Sequence, residues 1–312
     1  MKKKVISLVL ATAMSAALLA GCGSSSESSS ASTEATETEE AEEAAEEAET
    51  AEETEAAAEI TTVSAGKLTV ATSPDFAPYE FYAIDENGNP TLAGFDIAMA
   101  GYIADYLGLE LEIVTVDFDG VLSELATKSV DLGMAGLSPD PDRENAMDFS
   151  DIYYKGGQSL VSLKENADAI TSFDDVNKPE YTIGAQTGSI QLDLANENTP
   201  DANIVSLPKV TDIISELIAG KEYAAFIETD VAKCYQKNYP ELEIVMDVPY
   251  DQEGSAVGVC KGNEALLAGV NEAIAAAIED GSLSQFIADA NELATGEKYE
   301  GLLDENGDIQ ED

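Results

Sequence analysis

Residues 133–150 read GMAGLSPDPDRENAMDFS and contain Arg143, the only arginine in a chain of 312 residues. A guanidinium offers a rigid fork of donors that matches a carboxylate bidentately and stays protonated. The glycines, prolines and aspartates around it are the composition of an ordered turn. Two chemistries fit a lone arginine among 62 acidic side chains. It captures the carboxylate of a small ligand, or it forms a structural salt bridge to one of those acids. A second stretch, Gln186-Thr187-Gly188-Ser189, runs out of a strand and opens a helix. A Gly-Ser turn at a helix N-terminus presents free backbone N–H groups to an anion.

Composition removes most alternatives. The chain has no His, which excludes Ser-His-Asp and Cys-His catalysis, the usual zinc sites and imidazole acid–base chemistry. The acidic runs 85–89 and 304–308 do not open loops with glycine at the sixth position and glutamate at the twelfth, as a calcium loop requires, and read as turns or a frayed tail. No metal and no cofactor is expected. A formal net charge of −47 disfavours nucleic acid and anionic membrane surfaces and favours a cationic or zwitterionic ligand. Cys234 and Cys260 each lie in an apolar stretch and read as small buried residues.

The elements that must position these residues follow in order. Lys2, Lys3 and Lys4 precede an apolar run from Val5 to Ala20, the pattern of a secretory signal peptide over 1–21. Leu19-Ala20-Gly21-Cys22 resembles the bacterial lipobox, so Cys22 is expected to be lipid-modified. Residues 22–65 are Ser, Ala, Thr and Glu with 14 glutamates and almost no large apolar residue, a composition for a disordered, self-repelling tether. From 66 onward short apolar strands alternate with helices. Lys67–Thr72, Leu109–Val116 and Asp131–Ala135 read as strands, with helices over 97–107 and 120–128 capped by Asp96 and Asp119. A loop over 73–78 leads into a hairpin around Asn87-Gly88. A second α/β run spans 159–245, and Ser255–Cys260 is a last strand before helices over 264–279 and 284–293. Such β-α-β order places ligand loops at the carboxyl ends of the strands, and Arg143 lies just past one.

Seven pieces, in this order, resemble the polar-amino-acid family of extracytoplasmic solute-binding proteins (family 3), the receptors of ABC importers. They are ATSPDFAPYEF at 71–81, LAGFDIAMAGYIADYLG at 92–108, VDFDGVLSELATKSVDLGMAGLSPDPDR at 116–143, MDFSDIYY at 147–154, IGAQTGSIQ at 183–191, AAFIETDVA at 224–232 and EGSAVGVCKGNEALLAGVNEAI at 253–274. The resemblance implies an α/β, two-lobed periplasmic-binding-protein-like type II fold, each lobe a doubly wound mixed sheet. Lobe 1 would be discontinuous, 66–157 plus 254–312, and lobe 2 would be 158–253, joined by two crossing strands.

The resemblance also implies the site. Arg143 matches the arginine that pairs with the ligand α-carboxylate. Ser189 and Ile190 match the helix-opening residues that receive the same group. Glu228 matches the acid that takes the α-ammonium, with Asp230 second. Ser138 and the Gly136 carbonyl match the loop that also meets the ammonium, and Phe76 and Phe118 match the aromatics that sandwich the side chain. Ser73 stands where basic-amino-acid binders carry a side-chain-binding aspartate. Asp75, Glu80, Asp117 and Asp119 are then candidates for a negative end, and the expected ligand is a polar or cationic amino acid. Partners implied are that ligand, an ABC permease with its ATPase, and the membrane through Cys22, with no nucleic acid. The protein would act as a non-enzymatic monomer, lipid-anchored on the extracytoplasmic face of the cell membrane. The alternatives are a sensory or adhesion lipoprotein on the same fold, or a cyclohexadienyl dehydratase-like enzyme.

Overall fold

A computed structural model describes residues 60–84, 88–251 and 254–294. The expected signal peptide, Cys22, the tether to residue 59 and the acidic tail lie outside the described residues. No described helix is long and apolar enough to cross a membrane.

The first half begins with β1 (Lys67–Thr72), then a three-stranded antiparallel sheet of β2 (Asp75–Phe76), β3 (Glu80–Ile84) and β4 (Pro90–Ala93). Next come α1 (Phe95–Leu107), β5 (Glu110–Thr115), α2 (Phe118–Ala126), β6 (Leu132–Gly133) and β7 (Met147–Phe149). The chain then crosses into β8 (Gln158–Leu163), α3 (Phe173–Val176), β9 (Thr182–Gln186), α4 (Ile190–Asn198) and β10 (Asn203–Leu207). It continues through α5 (Val210–Ile218), β11 (Ala224–Glu228), α6 (Thr229–Asn238) and β12 (Leu242–Val248). It returns as β13 (Gly258–Cys260), α7 (Glu264–Glu279) and α8 (Ser282–Leu293).

Two five-stranded sheets result, ordered β5-β1-β6-β13-β7 and β10-β9-β11-β8-β12. In each, parallel pairs from crossover units are completed by antiparallel strands: β13 against β6 and β7, and β8 against β11 and β12. The protein therefore has two lobes with mixed sheets. The two crossing segments run side by side, with Tyr153 N–H donating to the Ser255 carbonyl (3.0 Å) and Ser255 N–H donating to Tyr154 (2.7 Å). Buried aliphatic residues of α1, α7 and β13 pack under the first sheet, and those of β8, β9 and β11 fill the second. Cys234 and Cys260 are buried free thiols within these layers.

Both helix starts differ from the expectation. The N-cap of α1 is Gly94 rather than Asp96, at φ 121°. Any Cβ there would collide with the Tyr79 carbonyl, so the chain needs glycine and the helix begins two residues early. The N-cap of α2 is Asp117, with Asp119 in the first turn. Aspartate is favoured at both the cap and the first turn, so composition alone does not separate them. The expected strand over 131–135 shortens to Leu132–Gly133, and residues 75–76, expected as loop, pair with 80–81.

Glu222, just ahead of β11, is 3% exposed and has no hydrogen-bond partner for either oxygen. It lies against Gly184 of β9, where a side chain would displace it. Burial, with help from Glu216, pushes its carboxyl up to about 8. A carboxyl raised in the folded state binds its proton more tightly there than in the unfolded chain. Its destabilisation is thus complete above about 8 and vanishes below the ordinary value of 4.5. Glu222→Gln should raise the melting temperature at pH 8.5 by at least about 3 °C, the effect of about 1 kcal/mol in a chain this size. At pH 4.5 the two proteins should melt together; an equal gap at both pH values would contradict this assignment.

Candidate functional site

The carboxyl-end loops of both sheets face each other, and Arg143 stands between them. Its loop is a set of tight turns in which Asp140 Oδ1 accepts from Asp142 N–H (2.8 Å) and the Asp140 carbonyl accepts from Arg143 N–H (2.9 Å). Arg143 Nη1 donates to the Ser138 carbonyl (3.3 Å), and Nη2 reaches across to the Gly188 carbonyl of the second lobe (3.0 Å). The guanidinium lies over the Phe118 ring, 5.8 Å from its centroid, a cation–π placement. Among the described residues no carboxylate oxygen lies within 4.0 Å of it. The salt-bridge alternative is therefore not what holds this side chain. Burial lowers its pKa from the ordinary value, and Asp140 and Asp193 oppose that.

Around it, Gly136 sits at φ 57°, and a Cβ there would come within 2.9 Å of the Phe76 ring. Phe76 and Phe118 are both nearly buried, one on the hairpin and one on the first turn of α2. Across from them Ser189 caps α4. Its hydroxyl donates to the Gln186 carbonyl (2.7 Å) and accepts from Leu192 N–H (3.3 Å), so the hydroxyl is committed to the cap. That leaves the first-turn N–H groups, beginning at Ile190, without intrahelical acceptors. Gly188, at φ 76°, brings this turn against Asp119 of α2.

Glu228 ends β11 and caps α6. Oε2 accepts from the N–H groups of Asp230 (2.7 Å) and Val231 (2.8 Å), and Oε1 from Gly157 N–H (3.2 Å). Burial raises its carboxyl to about 7, against the pull of the Val231 N–H. Asp230 is engaged differently: it accepts from Tyr154 Oη and from Lys233 Nζ (2.8 Å). Glu228 Oε1 and the wholly buried Tyr79 hydroxyl both border Gly156, where the second lobe meets the crossing segment.

The negative groups near Phe76 divide into two sets. Asp75 Oδ2 accepts from Val210 N–H of the second lobe (2.5 Å), and Oδ1 accepts from Ser73 Oγ (3.0 Å). Burial raises Asp75 to about 6, opposed by Val210, Ser73 and Lys209. Glu80 pairs with Phe76 across the hairpin, so both side chains leave the same face. It is completely buried beside Asp96, and no described N–H or hydroxyl reaches either of its oxygens. Asp96 in turn accepts from Tyr153 Oη (2.6 Å) and from Gly136 N–H (3.0 Å). Burial and the Asp96 charge push Glu80 well above the ordinary carboxyl range, so in this pair the proton belongs to Glu80. Asp117, expected among the negative groups, faces Lys209 instead, at 4.0 Å.

Arg143, Ser138, Gly136, Phe76 and Phe118 thus converge on one wall, with the Ser189–Ile190 turn opposite and Glu228 at the hinge side. Ser73 and Asp75 are tied to each other and to α5. Three participants were not singled out from sequence: Tyr79, Tyr153 and the Gly188 carbonyl. Tyr79 had a signal, its place inside the PDFAPYEF run. No group of three or more acidic or cysteine ligands among the described residues could hold a metal ion.

The profile of the bacterial extracellular solute-binding proteins, family 3, matches residues 68–289. The chain belongs to this family. Among solute-binding relatives, the arginine-binding extracellular protein ArtP of Bacillus subtilis is 31% identical over 236 residues, covering 74% of this chain and 88% of ArtP. The crystal structure of the amino acid ABC transporter substrate-binding protein AbpA from Streptococcus pneumoniae, bound to L-arginine, superposes with a TM-score of 0.71. It shares 33% identity and covers 74% of this chain and 97% of AbpA. A cyclohexadienyl dehydratase from Pseudomonas aeruginosa is 26% identical over 180 residues, 58% of this chain and 66% of that enzyme.

The Asp96 centre is the part of this arrangement whose loss is simplest to measure. Asp96→Ala leaves the Tyr153 hydroxyl, the Gly136 N–H and the Glu80 proton without their acceptor. Unfolding in urea should show a loss of at least about 2 kcal/mol, since stranded buried donors cost about 1–3 kcal/mol each. A loss below about 0.5 kcal/mol would show that the network carries no weight.

Proposed function

We propose that the protein is an extracytoplasmic receptor that binds a free amino acid with a cationic side chain between its lobes and delivers it to an ABC permease. One observation carries the reading: a partly buried guanidinium held by backbone carbonyls from both lobes, with no described carboxylate in reach of its fork. The ligand α-carboxylate would pair with Arg143 and the N–H groups at Ser189 and Ile190. The α-ammonium would meet Glu228, together with Ser138 and the Gly136 carbonyl. Phe76 and Phe118 would enclose the side chain. Excluding water strengthens each of these pairs.

Support for a cationic side chain comes from Glu80, a buried acid with no donor, on the same hairpin face as Phe76. A guanidinium or ammonium there would replace the proton that burial forces onto it. The arginine named for ArtP and AbpA points the same way. Cys22 would carry the lipid that tethers the receptor to the membrane, with 22–65 as the flexible connection.

A second reading has one specific support, the dehydratase relative together with Glu228, an acid raised to about 7 that could protonate a leaving group. Turnover of prephenate or arogenate by the purified protein would establish it; the receptor reading expects none.

Calorimetry with the common amino acids should find L-arginine or L-lysine among the tightest ligands. Arg143→Ala should weaken that binding at least about 100-fold, because a buried ligand carboxylate loses its only cationic partner. Glu80→Gln should abolish the preference for cationic over neutral side chains while retaining the carboxylate contact. Near-native binding by Arg143→Ala would sink the assignment.

A further inference from the structure

Three polar contacts stand out among those that bridge the lobes between described residues. Arg143 Nη2 reaches the Gly188 carbonyl at 3.0 Å, but this uses the group that a ligand carboxylate would take. Lys209 Nζ stands 4.0 Å from Asp117 Oδ1, whose side chain is 45% exposed, so solvent screens that pair. The third joins Asp75 Oδ2 to Val210 N–H at 2.5 Å and is different in kind.

Val210 is the first residue of α5, a nine-residue helix, and its N–H is one of the groups a helix cannot satisfy internally. The residue in the N-cap position is Lys209, which makes no side-chain capping bond. Position 209 therefore carries a residue type that does not cap, and the cap comes from the other lobe, 135 residues away. The supplier is well fixed. Pairing of Asp75 with Phe81 sets its register and Ser73 Oγ holds its second oxygen at 3.0 Å, while Tyr235 Oη of α6 adds a longer contact from the second lobe, to the Asp75 carbonyl at 3.3 Å. An acidic cap also lies at the positive end of the helix dipole.

We propose that Asp75 is a latch: by capping α5 across the cleft it holds the lobes together through a contact that touches no ligand. This rests on the two-lobed receptor reading, and it makes Asp75 a determinant of how long a bound molecule stays. When the lobes part, the Val210 N–H loses its cap and Asp75 its donor.

The full chain with Cys22→Ser provides the background for the test, since Cys234 and Cys260 are buried. Nitroxide labels at Ala126→Cys and Glu197→Cys, both exposed and on different lobes, report the separation by pulsed electron spin resonance. Two variants break the latch from opposite sides. Asp75→Ala removes the acceptor. Val210→Pro removes the donor and exchanges one buried apolar side chain for another, at the helix position where proline is favoured and after a residue already extended at φ −117°, ψ 139°. Without added ligand, each should reduce the short-distance population by at least half. With L-arginine as probe, each should speed dissociation about tenfold and leave association within twofold. Distance distributions that coincide with the parent in both variants overturn the latch. A change in Asp75→Ala with none in Val210→Pro overturns it as well, because the hydrogen bond is then not the cause. Absence of heat with every free amino acid would instead defeat the receptor reading, and the distance measurement, which needs no ligand, would still decide the latch.

Discussion

An arginine whose nearest partners are two carbonyl oxygens is electrostatically incomplete. Neutral carbonyls satisfy part of its donor fork but leave its charge unopposed, and partial burial limits what water can supply. The surrounding structure conforms to that condition. The loop that carries Arg143 is stiffened by an Asp140 turn, the Phe118 ring lies beneath it, and the second lobe contributes an oxygen rather than an acid. A chain with 62 acidic side chains has kept all described carboxylates out of reach of one cation.

The same acids appear elsewhere as internal structure. Glu228, Asp75 and Asp96 each take backbone N–H donors, so each offsets part of its desolvation through a helix end or a loop. Glu80 and Glu222 do not, and burial forces protons onto both. The difference is informative. A capped acid is explained by the fold alone, whereas an uncapped one is strained at neutral pH. Glu80 lies beside Phe76, where the cationic ligand proposed above would relieve that strain; Glu222 lies at the other end of β11 from Glu228.

Much of this was legible in the chain. Arg143 stood out because it is unique, and the Gly188-Ser189 turn because glycine before a helix-opening hydroxyl is a local signature. The alternation of short strands and helices gave two α/β halves. What was hidden is non-local or a matter of one helical turn. Asp96 and Asp119 read as caps because aspartate is equally at home in the first turn, and only the Gly94 contact with Tyr79 settles the start of α1. Glu228 and Asp230 are two residues apart at a strand-to-helix junction, and pattern gives no reason to separate them. Their hydrogen bonds do: one faces inward to three backbone donors, the other outward to Tyr154 and Lys233. The Asp75–Val210 pairing spans half the chain and has no local trace.

The place of β13 has a consequence for synthesis. It lies between β6 and β7, so the edge strand β7 has no partner in the first sheet until residues 258–260 arrive. The second sheet is built from one uninterrupted stretch, 158–248. As the chain emerges from its amino end, the later lobe can finish while the earlier one still waits with an open seam. The half that is made first is thus completed last, and any quality control acting on a partly emerged chain meets lobe 1 with the seam between β6 and β7 still unpaired.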